Sequence, residues 1–188
     1  MRRFASLNSL WSVALLGVIG LTATSPATAD TIMYSLTDCF IGGGCPTSAP
    51  WGTVTVSSLS STEVSVSLAL APNEVFNIAG GNGAGKPLLF DISGTPTVVV
   101  SGLAPQFSLV QHMMTMADGS GKWDYSIQCT DSTVCGTGTS NKVAGPINFD
   151  LTLASGISPA SFVVNGKNLY FASDIGISTG GGNYARGR

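Results

Sequence analysis

Alternation of apolar and polar side chains with a period of two is the feature that most constrains this chain. It is clearest over residues 62–70, where the apolar positions are Val64, Val66, Leu68 and Leu70 and the intervening ones are mostly Ser or Glu. Because successive side chains of a strand point to opposite faces, a strand of this kind buries one face and exposes the other to water. We therefore expect a half-buried β-strand here.

The same pattern recurs along the chain. Shorter strands are predicted over residues 31–36 and 51–57, and a more uniformly apolar one over 97–100. Further one-sided apolar faces are predicted from Leu88, Phe90 and Ile92; from Trp123, Tyr125 and Ile127; from Ile147, Phe149, Leu151 and Leu153; and from Leu169 and Phe171. Glycine-rich turns separate these segments, and only one helical turn is expected, at Pro159. The pattern predicts an all-β fold, a single antiparallel β-sandwich or jelly-roll-like domain.

The N-terminus carries the pattern of a secretory signal peptide. Arg2 and Arg3 precede an apolar run over residues 13–21, and Ala27 and Ala29 flank a spacer, which predicts cleavage before Asp30. The apolar run is shorter than the about 20 residues of a membrane-spanning helix. We expect a signal peptide at 1–29, a β-sandwich domain at 30–176 and a flexible tail at 177–188. The mature chain is then expected in the periplasm or the medium, without stable membrane insertion.

Charge limits the classes of partner. The chain has 8 basic against 10 acidic residues, and two of the basic ones lie in the predicted signal peptide. An acidic chain without a basic cluster is a poor partner for nucleic acid or an anionic membrane surface. The charged fraction is 10%, against about a quarter in typical domains. The surface must therefore be built from Ser, Thr, Asn and Gly, which suits an extracellular β protein.

Four cysteines lie in two pairs, Cys39 with Cys45 and Cys129 with Cys135, with five residues inside each pair. Four cysteines allow three pairings, and we favour the two local loops because three glycines between Cys39 and Cys45 permit a tight turn. A four-cysteine zinc site is the alternative. Its usual spacing within a pair is about two to four residues, and an exported chain meets an oxidising compartment. We predict disulfides and no metal.

Carboxylates on strands are the main candidates for a binding site. Asp91, Asp124 and Asp150 each alternate with the apolar residues of their strand, so we expect all three to face outward, and Asp174 to do the same. Such positions are usually solvated sheet faces that discourage edge pairing. If two of the strands are neighbours, a calcium or sugar site is the sharper hypothesis. Sugar binding would also use exposed aromatic side chains, for which the candidates are Trp51, Tyr170 and Tyr184.

Catalytic signatures are weak. His112 is the only histidine, which limits nucleophilic triads and most catalytic zinc sites, and we expect it on the surface or in a loop. Residues 80–86 carry the glycines and lysine of a phosphate-binding loop, but Pro87 stands at the magnesium-ligating position and a strand follows. A pair of carboxylates such as Asp124 and Asp150 would suffice for glycoside hydrolysis. We predict no catalytic residue and no cofactor.

Several strand-and-turn segments together resemble secreted bacterial proteins of the PEP-CTERM type. The segments are residues 51–56 (WGTVTV), 88–92 (LLFDI), 121–127 (GKWDYSI), 145–150 (GPINFD) and 170–174 (YFASD), with Cys129, Cys135 and Gly136. Such proteins are exported by Gram-negative bacteria and are associated with exosortase sorting and exopolysaccharide, and the family brings no known enzyme activity. Its tail has Pro-Glu-Pro, an apolar helix and a basic end. Residues 178–188 have only the closing arginines, so we expect release rather than anchoring.

Three functional hypotheses follow. The leading one is a non-catalytic secreted or cell-surface β-sandwich protein associated with the extracellular matrix or exopolysaccharide. The second is a lectin-like carbohydrate-binding module, with or without calcium, that uses Asp91, Asp124, Asp150 and Trp51. The third is a polysaccharide hydrolase or lyase. The expected partners are extracellular polysaccharide or cell-surface components, and the oligomeric state stays open.

Overall fold

A computed structural model describes residues 30–38, 50–77, 86–117, 119–131 and 142–177. Within these residues nearly all regular structure is β, with one 3-10 turn at Pro159–Ser161 and no helix long and apolar enough to cross a membrane. The strands are β1 (Thr31–Leu36), β2 (Gly52–Ser60), β3 (Glu63–Leu70), β4 (Glu74–Asn77), β5 (Leu88–Ile92), β6 (Val99–Ser101), β7 (Phe107–Ala117), β8 (Gly121–Cys129), β9 (Lys142–Val143), β10 (Ile147–Thr152), β11 (Phe162–Val163), β12 (Phe171–Ala172) and β13 (Ile175–Ile177).

The first sheet has the strand order β1-β2-β3-β10-β6, and every pair in it is antiparallel. Its apolar positions alternate in register, so that Val54 lies opposite Leu68 and Phe149 opposite Val66. These side chains are buried, whereas their neighbours Ser65 and Asp150 are half-buried. The predicted alternation is confirmed in this sheet, and Phe149 lies in the core as expected.

The second sheet has the order β11-β5-β8-β7, and β12 also pairs with β5. Here the prediction of one buried face was wrong, because all five residues of β5 are buried. Leu88, Phe90 and Ile92 face the main core. Leu89 packs on the other side, in a second cluster with Trp123, Leu169 and Ala172. The outer face of this sheet is therefore covered.

Trp123 departs from the predicted pattern in the same region. Alternation predicts that it shares a face with Tyr125 and Ile127, yet those two belong to the main core and Trp123 to the second cluster. The pairing of β8 with β5 runs only as far as Tyr125 opposite Phe90, and the register of β8 with β7 shifts in this part of the strand. On the N-terminal side of Tyr125, β8 therefore has no described partner residue in β5 and a shifted register with β7.

The two sheets pack face to face through aromatic side chains. The ring of Phe90 lies 5.3 Å from that of Tyr125 in its own sheet and 6.3 Å from that of Phe149 in the first sheet. Phe162 and Phe171 lie within 6.4 Å of the same ring. Such spacings are those of interacting aromatic pairs. The fold is thus an all-β antiparallel sandwich, as predicted, with a small third sheet of order β13-β4-β9.

Several predictions fall outside the described residues. They are the signal peptide, the phosphate-loop-like segment up to residue 85, Cys39, Cys45, Cys135, Tyr184 and residues 178–188. The domain limits at 30 and 176 also stay predictions. The single helical turn predicted at Pro159 is confirmed as the 3-10 turn.

Candidate functional site

Two of the three predicted carboxylates lie side by side. The carboxylate of Asp91 accepts a hydrogen bond of 2.7 Å from the backbone amide of Asp124 on the neighbouring strand. Asp91 faces away from the main core as predicted, but it is only 8% exposed, so its expected solvent exposure was wrong. The physical reason is that Asp91 shares its strand face with Leu89, and the second cluster covers that face. Asp124 is half-buried.

Burial changes the acid–base properties around this pair. It raises the pKa of Asp91, the amide of Asp124 lowers it, and the negative charge of Asp124 raises it again. Burial also raises the pKa of Tyr125 to about 12, with help from the charges of Asp124 and Asp91. The Tyr125 hydroxyl donates a hydrogen bond to the backbone carbonyl of Pro96. Tyr125 is thus a neutral donor that holds residue 96 onto the sheet.

Strand β7 lies beside this pair, because Gln111 is opposite Tyr125 and the ring of His112 lies 6.0 Å from that of Tyr125. We call Asp91, Asp124, Tyr125, Gln111 and His112 the Asp91 cluster. The side chain of Gln111 accepts from the N–H of Val98 and donates to its C=O, each at 3.0 Å. It thus makes the two backbone hydrogen bonds that a neighbouring strand would make. His112 Nε2 lies 3.0 Å from the Thr97 hydroxyl. His112 is exposed as predicted, but it belongs to a strand and has a positive φ of 60°.

Three side chains of the Asp91 cluster have a structural role. Asp91, Tyr125 and Gln111 direct polar atoms to backbone groups of neighbouring segments. A catalytic acid or base instead needs to lie within hydrogen-bond reach of a substrate proton. Among the described residues, no group of three or more His, Cys, Asp or Glu side chains is placed to hold a metal ion. The cluster therefore fixes the positions of the strands that it joins.

Asp150 lies away from this cluster. It belongs to β10 in the first sheet, opposite Ser65 on one side and Ser101 on the other, whereas Asp124 belongs to the second sheet. The structure thus brings together Asp91 and Asp124 but does not place Asp150 beside them. Asp124 and Asp150, the example named for the hydrolase hypothesis, lie on different sheets.

Asp174 repeats the role of Asp91. It is 5% exposed, so its predicted outward position was also wrong. Its carboxylate accepts from the amide of Lys86 at 3.1 Å, and its own amide donates to the carbonyl of Lys86 at 3.1 Å. Ser173 donates to the carbonyl of Pro87 at 2.6 Å. Together they fasten the start of β5 to the segment after β12.

Trp51 was predicted as an exposed aromatic side chain, and this was wrong. It is 3% exposed and belongs to the main core. Its backbone explains the position, because its N–H donates to Leu36 at 3.0 Å and its C=O accepts from Ala71 at 2.8 Å. These bonds hold Trp51 at the end of two hairpin strands. In the part of the chain that the structure describes, the buried Nε1 atom of Trp51 has no hydrogen-bond partner.

Tyr170 is the predicted aromatic residue that does reach the surface, with 41% of its area exposed. Its ring lies 5.0 Å from that of Tyr34, which was not among the predicted aromatic candidates. Tyr34 in turn contacts Phe171 edge to face at 4.8 Å. Burial, then the neighbouring Tyr170, raises the pKa of Tyr34. The two tyrosines form an aromatic surface patch, the Tyr34–Tyr170 pair, beside β1.

Asn165 is a further residue that sequence reasoning missed. Its Nδ2 donates to the carbonyl of Ser120 at 2.8 Å, and its Oδ1 accepts from the amides of Lys167 at 2.8 Å and Leu169 at 3.2 Å. The hydroxyl of Ser120 accepts from Trp123 Nε1 at 3.1 Å. Asn165 thus anchors the turn that places Leu169 over Trp123. The adjacent Gly166 was the available signal, since Asn and Gly together are typical of a turn.

Two shallow grooves flank residues 144–146. One has a volume of about 160 Å³ and includes Gln106 and Asn148; the other has about 260 Å³ and includes Leu70 and Glu74. Burial raises the pKa of Glu74. Both volumes are smaller than the about 300 Å³ from which small-molecule pockets usually begin. They are weak candidates for a ligand site.

Cys129 is disulfide-bonded. The other cysteines lie outside the described residues, so the pairing of Cys129 with Cys135, and of Cys39 with Cys45, stays a prediction. Comparisons of the chain with protein-family models, with curated proteins and with solved structures found no match. Function must therefore be argued from the residues themselves.

Proposed function

We propose that this protein is a non-catalytic secreted or cell-surface β-sandwich protein that acts in the extracellular matrix. The observation that carries the proposal is the use of its buried carboxylates. Asp91 and Asp174 each accept a hydrogen bond from the backbone amide of another segment. Carboxylates that serve as acid, base or nucleophile must instead reach a substrate. The acidic residues best protected from water therefore serve the fold.

The outer face of the first sheet supports a role in contact with neutral matrix components. It is rich in hydroxyl and amide groups, and neighbouring strands join them: Thr31 Oγ1 lies 2.9 Å from Ser57 Oγ, and Ser67 donates to Asn148 at 2.7 Å. Binding by a surface with few charges depends little on the salt concentration. Neutral polysaccharide or cell-surface components are the partners that this chemistry suits.

The test is fractionation together with turnover. The exported protein is incubated with a panel of extracellular polysaccharides, and new reducing ends and unsaturated products are measured. We expect no turnover, and we expect the protein to be recovered with the matrix fraction of the cells that export it. Turnover that is lost in Asp124→Asn would overturn the proposal in favour of an enzyme. Recovery in the culture medium alone would overturn the matrix assignment.

Carbohydrate binding is the second candidate, and the Tyr34–Tyr170 pair is the observation that favours it. A partly exposed tyrosine offers an apolar ring face and a hydroxyl, which together suit a sugar surface. We expect Tyr170→Ala to lose binding on a glycan array. Val99→Ala is the matched control, because Val99 is an exposed apolar residue at the opposite edge of the first sheet. No binding of the wild type, with or without calcium, would remove this candidate.

A further inference from the structure

Strand β1 forms one edge of the first sheet. In the described residues it pairs only with β2, over six consecutive residues and without a register shift. The backbone N–H of Ser58 donates to the carbonyl of Asp30 at 2.8 Å. Because bonding alternates along an antiparallel pair, Ile32, Tyr34 and Leu36 direct their backbone groups toward β2. Thr31, Met33 and Ser35 therefore direct N–H and C=O groups to the open edge.

Within the described residues, this edge lacks the features that usually prevent strand pairing. Natural edge strands are protected by shortness, charge, proline or a bulge. At the opposite edge of the same sheet, β6 has only three residues. At the edge of the second sheet, β7 contains a register shift between Gln111 and Thr115, with His112 at a positive φ. Strand β1 reads TIMYSL, with neither a charge nor a proline.

We propose that β1 pairs with β1 of a second copy of this chain, antiparallel about a two-fold axis at Met33. Side chains that lie directly opposite each other in such a pair share a face. With Met33 opposite Met33, Thr31 lies opposite Ser35 and Ile32 lies opposite Tyr34. Exposed positions of β1 therefore face exposed positions, and half-buried positions face half-buried positions. All three outward-directed residues then form fully bonded pairs, each with two hydrogen bonds.

The strand is self-complementary, which is the reason to choose a second copy as the occupant. A two-fold interface requires one patch to fit itself. In this pairing, hydroxyl side chains lie opposite hydroxyl side chains and apolar ones opposite apolar ones, and no like charges lie opposite each other. Met33 is 68% exposed, the largest value among the exposed large apolar residues of the described chain, and the pairing covers it. This inference is independent of the proposed matrix function.

The first test measures association by analytical ultracentrifugation across a wide range of protein concentration. We expect a reversible dimer that dissociates on dilution, because a single strand pair makes a small interface. Met33→Lys places like charges at the axis and should give a monomer. Val99→Lys is the matched control, since Val99 is 67% exposed at the opposite edge of the same sheet, and it should dimerise like the wild type. The proposal is overturned if the wild type is monomeric at every concentration. This holds also if the monomer binds a strand of another protein. A dimeric Met33→Lys overturns it as well.

The second test checks the register by disulfide crosslinking on a non-reducing gel. Cα atoms of a bonded antiparallel pair are about 5.5 Å apart, within the range of a disulfide. Met33→Cys should form a covalent dimer by itself. Ser35→Cys should not, but it should crosslink when mixed with Thr31→Cys. Crosslinking of Ser35→Cys alone, or none with Met33→Cys, contradicts the proposed pairing. Equal unfolding temperatures of the variants and the wild type show that each remains folded.

Discussion

The two main sheets use the same local pattern but differ in what covers them. In β3 of the first sheet, Val64, Val66 and Leu68 are buried while Ser65 and Ser67 are half-buried. In β5 of the second sheet, every residue is buried, including Asp91. Alternation thus places side chains on two faces, but it does not determine whether the second face meets water or protein.

The difference arises from the chain after the 3-10 turn. Asn165 anchors a turn to Ser120, and Leu169 and Ala172 then pack on Leu89 and Trp123. No comparable second cluster forms on the outer face of the first sheet among the described residues. A polar residue on that face stays near water, whereas Asp91 must find a backbone partner because buried polar groups are costly when unpaired.

The largest expected effect tests the shared core. Phe149→Ala removes a buried ring that contacts Phe90 across the sandwich, and we expect the free energy of unfolding to fall by about 3 to 5 kcal/mol. Asp150→Ala, on the other face of the same strand, is the matched control and should change it by about 0.5 kcal/mol or less. Denaturant unfolding of both variants is the measurement. A larger loss for Asp150→Ala would reverse the assignment of the two faces.

The next effect tests the comparison between the sheets directly. Leu89→Ala removes a side chain from the outer face of the second sheet, and we expect a loss of about 2 to 5 kcal/mol because that face is covered. Ser65→Ala, on the outer face of the first sheet, should change stability by about 0.5 kcal/mol or less. The same denaturant experiment applies. A small effect of Leu89→Ala would show that the second cluster adds no cover.

A smaller effect concerns Tyr125. Tyr125→Phe loses the hydrogen bond to Pro96, and we expect a loss of about 1 kcal/mol at neutral pH. The folded pKa of Tyr125 is raised from 10.0 to about 12. Its contribution is therefore complete below pH 10 and is lost as the pH rises toward 12. The stability difference between wild type and variant should shrink over this window, and a constant difference would contradict the shift.

The smallest loss of stability is expected for Asp91→Asn, because the amide oxygen can still accept from the backbone amide of Asp124. Burial raises the folded pKa of Asp91, so the stability linked to its protonated form is complete below its ordinary pKa of about 3.9. That stability is lost as the pH rises through the folded pKa. The wild type should therefore lose stability relative to Asp91→Asn as the pH rises above about 3.9. Parallel stability curves would show that burial of Asp91 carries no such cost.

The candidate sites show how far sequence reasoning reached. Tyr170 was selected as an exposed aromatic residue and is exposed, but its neighbour Tyr34 comes from a strand far away in the chain, so no local pattern joins them. Asp91 and Asp124 were selected separately. Their contact depends on the pairing of β5 with β8, which brings residues 33 positions apart in the chain together. Trp51 was expected to be exposed but is buried, since the pattern of a strand does not determine the burial of an aromatic residue at its start.

The sequence by itself determined the class of fold and the strands of the first sheet, because the period of two is a property of each strand's own backbone. It did not reveal β7, since the register shift near His112 breaks that period. Only the tertiary structure decided the cover over the second sheet, the paired carboxylate of Asp91 and the position of β1 at an edge of the described first sheet. Each depends on which distant segment packs beside a strand, and burial is set by those neighbours rather than by the strand's own residues.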